Sequence, residues 1–477
     1  MHPTDLRKLF ADAAGHAAMY RQSLSERRVR SPKPFSEVGA DFRRPLGDAP
    51  RPADEVVDEL VALAEGGIVA SAGPRYFGFV TGGALPAATA AEILAAGWDQ
   101  NAMSSILSPA AAAAEQAAAD WLKDLLGLPS TASAGFVTGA QGANTVALAA
   151  ARNHVLAQAG WDVETDGLMG APRVRILAGD ERHATIDRSL RLLGFGSGCL
   201  ELIRTTANGV IDLDDLRGRL AGQTGPLIVC LQAGNVNTGH SDALGPAAEI
   251  VHEYDGWVHV DGAFGMWAAL SPELRDQVAG LELADSWGCD GHKWLNLPYD
   301  NGFVFTAHPD AHASALAYTA SYLVSSGERE PGDYAMESSR RARGLAAWAG
   351  LQELGRDGLR EVVDRCCVLA RRFAEQLAAA GCEIGNDVVL NQVLVSYGDD
   401  AETDAVIADV QRAGVCWMGG TTWRGRRYMR ISVSNHLTTE RDVDQSVESI
   451  LAARSMLPQT TTGRRPAERA PSSAGPE

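Results

Sequence analysis

The chain opens with apolar residues at helical spacing. They recur in "DLRKLFADAAGHAAMY" and again in "ADEVVDELVALAEGG", where a Gly pair ends the run. The stretch between, "RVRSPKPFSEVGADFRRPLGDAPRP", reads as a Pro-rich connector. Ser108-Pro109 then opens an Ala-rich helix to Leu126, with Ser as cap and Pro at the first helical position. Beyond it, the near-continuous apolar runs "RVRILAG", "PLIVCLQAG", "WVHVDGAF" and "NGFVFTAH" alternate with helical stretches. That alternation predicts an α/β fold, a mostly parallel sheet covered on both faces. After Arg343 the texture changes. A helical region at about 345–380 is followed by "VVLNQVLVSYG", a helix near 402–413, strands around "GVCWMGG" and "RRYMRISVS", and a helix from Thr439. The expected organisation is a helical segment (1–65), a large α/β domain (66–343), a small α+β domain (344–456) and a disordered Pro/Ser-rich tail (457–477).

Composition narrows the function. A net charge of -18 argues against a nucleic-acid binder, which needs a basic face. No apolar run approaches the ~20 residues of a membrane span. The first residues mix charges into an amphipathic pattern and lack the apolar stretch of a signal peptide, so a cytoplasmic location is expected. The seven cysteines show no C-x-x-C and no zinc spacing, which suits free thiols in a reducing compartment. His308 and His312, four apart in "HPDAH", have the spacing of a metal pair, but Pro309 intervenes and no Glu accompanies them. The stretch reads as a surface turn, and no metal is expected.

Four places carry candidate chemistry. Lys293, in "DSWGCDGHKWLNLPYDNG", follows a strand-like segment, where open α/β sheets place their sites. An amine attacks a carbonyl only when deprotonated, which Trp287 and Trp294 would favour by desolvation. Taken alone, Lys293 reads equally as a surface lysine. Asp261 ends the strand "WVHVD"; a buried carboxylate there needs a cation, such as a pyridinium nitrogen, or else it caps the next helix. In "VTGAQGANTVALAAARN" a strand runs through Gly139 and Gly142 into a helix, whose first N–H groups can cradle phosphate. His183 sits at another strand-to-helix passage, where a lone His is more often structural. In combination the four describe a site for pyridoxal 5'-phosphate. The cradle takes the phosphate, His183 stacks on the ring, Asp261 holds the ring nitrogen protonated, and Lys293, 32 residues after Asp261, makes the Schiff base.

"VHVDGAFG", "DSWGCDGHKWLNLPYDNG" and "HATIDRSLRLLG" resemble the group II pyridoxal-phosphate-dependent amino acid decarboxylases, the aromatic-L-amino-acid decarboxylases among them. The resemblance runs from "RYFGF" to the end of the small domain. It implies the fold type I of pyridoxal-phosphate-dependent transferases and a homodimer with sites at the subunit interface. It further implies that Lys293 is the Schiff-base lysine, His292 helps hold the phosphate, Asp261 pairs the pyridinium, Ala263 packs on the ring, and His183 stacks on the other face. Ala140 and Gln141 would offer backbone N–H groups to the phosphate, since "GAQGAN" lacks the family's Ser or Thr. Asn235, in "GNVNTG", is a further cofactor contact by the same resemblance. A mobile loop around "EREPGDYAMESSRRARG" would carry Tyr334, a proton donor, into the partner's site.

The expected function is decarboxylation of an L-amino acid to amine and CO2. Tyr76, Phe77 and Phe79 suggest an apolar entrance suited to an aromatic substrate, though they fit a core equally well. An aldehyde synthase on the same scaffold is one alternative, which a tyrosine at 334 opposes. A carbon–carbon lyase or aminotransferase-like enzyme is another.

Overall fold

The computed structural model describes residues 5–318 and 327–456. Seven strands form the larger sheet: β1 (Ser133–Val137), β2 (Arg175–Gly179), β3 (Leu200–Ile203), β4 (Leu227–Gln232), β5 (Trp257–Asp261), β6 (Ser286–Asp290) and β7 (Gly302–Thr306). Their order is β1-β7-β6-β5-β4-β2-β3. From β3 to β6 every pair is parallel, and β7 alone runs antiparallel, between β6 and β1. The carboxyl ends of β1, β2, β4, β5 and β6 therefore share one edge. The helix Ala140–Gln158 covers one face of the sheet and is mostly buried along its length, which its small Ala and Gly residues permit.

A second, antiparallel sheet contains β8 (Glu383–Ile384), β9 (Gln392–Ser396), β10 (Gly419–Trp423) and β11 (Arg426–Ser432), in the order β10-β11-β9-β8. The long helix Arg343–Ala379 connects the larger sheet to it, broken at Gly355, whose φ of 60° suits a residue without Cβ. Thr439 caps the helix Glu440–Ser455 through a capping box with Asp442. Ser108 caps Pro109–Leu126 as its sequence predicts. All seven cysteines are free, and only Cys199 is not buried. Among the described residues no helix is long and apolar enough to cross a membrane, and no cluster of His, Cys, Asp or Glu could hold a metal.

Several expectations need correction. "HPDAH" is not a surface turn. Pro309 starts the helix Pro309–Leu316, where its missing N–H is no loss, and His312 is fully buried, with Nδ1 2.8 Å from Ser133 Oγ. The Pro-rich connector contains the helix Phe35–Phe42, and β10 begins at Gly419, beyond most of "GVCWMGG". The short strands β3 and β8 went unpredicted: β3 is only half-buried and β8 has two residues. The tail 457–477 lies outside the described residues.

Candidate active site

At the shared strand edge lies a pocket of about 290 Å³. Each wall follows from a strand end. β5 delivers Asp261, and the turn after it brings Ala263. β6 delivers Asp290 and, in the following turn, His292 and Lys293. β1 runs into Gly139, Ala140 and Gln141 at the start of the covering helix. β2 leads to His183, the N-cap of the helix Ala184–Leu192, whose Nδ1 accepts the Thr185 amide at 3.3 Å. The residues predicted to act together thus meet in one place. A larger cavity, about 1380 Å³, lies between the N-terminal segment and the final helix and holds none of them.

Asp261 is buried, and its neighbours all donate to it. Asn144 Nδ2 reaches Oδ2 at 3.0 Å, Thr185 Oγ1 reaches the same oxygen at 3.4 Å, and the Ala263 amide reaches Oδ1 at 3.3 Å. Behind Asn144 lies a buried polar chain. His259 Nε2 is 3.1 Å from Asn144 Oδ1, and His259 Nδ1 is 3.0 Å from Ser286 Oγ. Burial pushes His259 down to about 4, so its ring is neutral at neutral pH.

Lys293 Nζ lies 2.9 Å from Asp290 Oδ2. Burial alone would lower its pKa, but Asp290, by charge and hydrogen bond, and Asp261 outweigh that and leave it raised. His292 Nε2 is 3.3 Å from Asp290 Oδ1, and its ring packs on Tyr299 with centroids 4.5 Å apart. Burial lowers the pKa of His292 and of His183; for His183 Asp261 pulls upward and Lys293 downward. The Gln141 side chain is turned away, onto Ser189 Oγ at 2.9 Å, which leaves its backbone to serve the pocket.

Two predicted site residues are not brought in. Asn235 is buried and its side chain is spent on local structure. Nδ2 donates to Glu181 O at 3.1 Å, and Oδ1 accepts the Asn237 and Thr238 amides. Its neighbours Gly234 and Val236 line the pocket instead. Tyr334, which the resemblance places in the partner's site, does not line its own chain's pocket. Its backbone packs on Gly135 of β1, so closely that a Cβ there would lie 2.0 Å from Tyr334 O. Its ring meets His312 edge-on at 5.1 Å, and the Arg329 guanidinium lies 4.5 Å from the ring centre. The described part of this segment, from 327 onward, is packed on the sheet rather than swung over the site. Of the entrance aromatics, Phe77 is core against Phe373, while Tyr76 and exposed Phe79 both stack with Trp417.

Sequence reasoning passed over Asn144, Thr185, Asp290 and Arg430. Asn144 had a signal, an amide in the fully buried part of an Ala-rich helix, and Asp290 stands three residues before the lysine. Arg430, on β11, donates to Val236 O at 3.1 Å; burial lowers it to about 10, and its charge is felt at His183. No local pattern marks it, because the small sheet's position beside the pocket is a tertiary fact.

The donor set fits pyridoxal phosphate: a buried strand-end carboxylate, an amine, an imidazole wall and a glycine-flanked helix start converge on one pocket. Comparison with known proteins agrees. Residues 42–397 match the model of the pyridoxal-dependent decarboxylase conserved domain, and the chain belongs to that family of pyridoxal-phosphate-dependent amino acid decarboxylases. An aromatic-L-amino-acid decarboxylase of Bacillus atrophaeus is 28% identical over 80% of this chain and 81% of its own. A 4-hydroxyphenylacetaldehyde synthase of Rhodiola rosea is 28% identical over 78% and 79%. In fold, the chain is similar to the Oryza sativa TDC solved with PLP and tryptamine, with a TM-score of 0.87 at 24% identity, covering 95% of this chain and 99% of that one.

Proposed function

We propose that this enzyme converts an L-amino acid with an aromatic side chain to its amine and CO2, with Lys293 as the covalent anchor. The observation that carries this reading is the convergence of Lys293, Asp261 and His183 on one pocket. Bound pyridoxal phosphate supplies an electron sink for the bond broken at Cα. The chain's residues prepare that sink. Asp261, held by Asn144, Thr185 and the Ala263 amide, presents a fixed carboxylate to a ring nitrogen. His183 and Ala263 line the same pocket, where they would flank the ring and His183 would meet the substrate carboxylate. The amides of Ala140 and Gln141, with His292, would hold the phosphate; at a helix start these amides have no intrahelical acceptor.

The aromatic preference is supported by the B. atrophaeus relative and by Phe79, an exposed aromatic stacked on Trp417. Aldehyde formation is the second reading. It is favoured by the Rhodiola relative. A cytoplasmic homodimer belongs to the same proposal. The helices Leu6–Gln22, Phe35–Phe42 and Ala53–Glu65 bury no residue, while Leu6, Phe10 and Phe35 are exposed, a pattern that a second copy would cover. Seven free thiols suit a reducing compartment.

The test is product analysis. The enzyme loaded with cofactor is given each aromatic amino acid in air, and CO2, amine, aldehyde and peroxide are measured. Amine equal to CO2 supports the proposal. Aldehyde with peroxide supports the second reading, and no CO2 from any amino acid overturns both.

A further inference from the structure

Asp290 engages groups assigned to hold the cofactor. Its carboxylate is 3% exposed, at the end of β6. Oδ1 accepts the Ala140 amide at 2.5 Å and lies 3.3 Å from His292 Nε2, while Oδ2 lies 2.9 Å from Lys293 Nζ. One built-in anion thus engages the first amide of the cradle, its imidazole and the anchoring amine. The fit leaves no slack: a Cβ on Gly139 would fall 2.9 Å from Asp290 Oδ1 and 2.8 Å from His292 Cε1. A buried ion pair of this kind is weak evidence for a stabilising role, since desolvation offsets much of its attraction. A buried carboxylate among the groups of an anion site acts directly on the incoming anion.

We infer that Asp290 is an internal stand-in for the phosphate, holding the cradle and Lys293 together until the cofactor displaces it, and so sets how tightly pyridoxal phosphate binds. The inference rests on the cofactor reading of the pocket. Two like charges contending for the same amide repel strongly in a site screened from water. An amide side chain at 290 would still accept from Ala140, and its own N–H2 would donate to a phosphate oxygen instead of repelling it. Asp290 is a positioning residue in this account, acting through Ala140, His292 and Lys293. Its influence on the amine is visible in the raised pKa of Lys293.

The experiment uses the full chain stripped of cofactor, with Asp290→Asn and Asp290→Ser beside the parent and folding checked by thermal melts. Pyridoxal phosphate and inorganic phosphate are titrated separately, by equilibrium dialysis and by quenching of tryptophan fluorescence. Removing one like charge from the site is expected to lower both dissociation constants by about tenfold or more. The serine variant supplies the same readout if the asparagine variant does not fold. Inorganic phosphate binding that is unchanged or weaker in the folded variants overturns the proposal, whatever pyridoxal phosphate does. A parent that takes up no pyridoxal phosphate overturns the cofactor reading, and this proposal with it.

Discussion

Asn144 Nδ2 sits 3.0 Å from Asp261 Oδ2, and on its other side Asn144 Oδ1 meets His259 Nε2 at 3.1 Å. The amide joins the carboxylate to a buried histidine that itself lies two residues earlier on β5. Asn144 and His259 are fully buried, so bulk water does not reach either contact. Asn144→Ala removes the donor to Asp261 and leaves a ring nitrogen of His259 unpartnered. A buried polar group without a partner costs about 1–3 kcal/mol. The variant should lose stability in that range and lose turnover with it, as measured by urea unfolding and by kcat. Unchanged values for both would mean that Asp261 is positioned by Thr185 and the backbone alone.

Asp261→Ala should cost more turnover than His183→Ala. The carboxylate supplies a charge to the ring nitrogen, whereas the imidazole supplies a wall and a contact. Rates of the two variants at saturating pyridoxal phosphate decide it, and a larger loss for His183→Ala would reverse the assignment of the electron sink.

How much of this was legible in the sequence follows the chemistry. Strand ends are marked by apolar runs stopping at Gly or at a charged residue, so Asp261, Lys293 and the Gly139 turn could be located, though each took its role only in combination with the others. His183 needed their company, since a histidine at a strand end has many uses. Asn235 was placed by resemblance, and the structure spends its side chain on its own loop; Tyr334 was placed by resemblance in the partner's site, and within its own chain it packs on Gly135 and His312. His312 was misread because burial of a histidine between a helix and β1 depends on a Ser133 that lies 179 residues away. Asp290 went unread because its value lies in three distances rather than in a pattern.

Tyr334→Phe should leave the ratio of amine to aldehyde as it is in the parent. The ring is held between His312 and Arg329 outside the pocket, and the substitution keeps that packing. Product analysis in air checks it. Aldehyde and peroxide appearing only in the variant would show that the phenol reaches a reacting carbon after all, in the partner's site.

Arg340 and Glu115 form a buried pair, with Nη2 at 2.8 and 2.7 Å from the two carboxylate oxygens and both side chains sealed from solvent. The pair ties the segment after Tyr334 to the helix Pro109–Leu126. Arg340→Met strands the carboxylate and should cost about 3–5 kcal/mol, read from chemical denaturation. A loss under about 1 kcal/mol would mean that Glu115 is carried by Arg329, its second cationic neighbour.

Acid should destabilise the fold through histidines that are buried neutral. Burial sets His259 at about 4 and His312 at about 3, both below the ordinary value of 6.5. Below pH 6.5 the unfolded chain binds protons that the folded chain refuses, so stability falls as pH drops from about 6.5 toward 4. Each such histidine contributes at most about 1.4 kcal/mol per pH unit. Asp242, raised to about 6 by burial, works the opposite way: its penalty at neutral pH is relieved on acidification and cancels part of the slope. Urea midpoints at several pH values should show the net fall, and His312→Gln should show a shallower one. An identical slope in that variant would contradict a neutral, buried His312.

The central claim is that Lys293 is the residue that carries pyridoxal phosphate. The chain has four lysines, at 8, 33, 123 and 293, so the claim can be read without ambiguity. Lys8 and Lys33 are exposed in surface pairs with Asp12 and Asp41, and Lys123 is tied to the Ser130 and Ala132 carbonyls. The loaded enzyme is reduced with borohydride, digested, and its peptides are weighed by mass spectrometry. The account predicts the pyridoxyl phosphate adduct on the peptide containing Lys293, and its absence, together with loss of CO2 release, in Lys293→Ala. An adduct on any other lysine, or CO2 release at the parent rate by that variant, would contradict it.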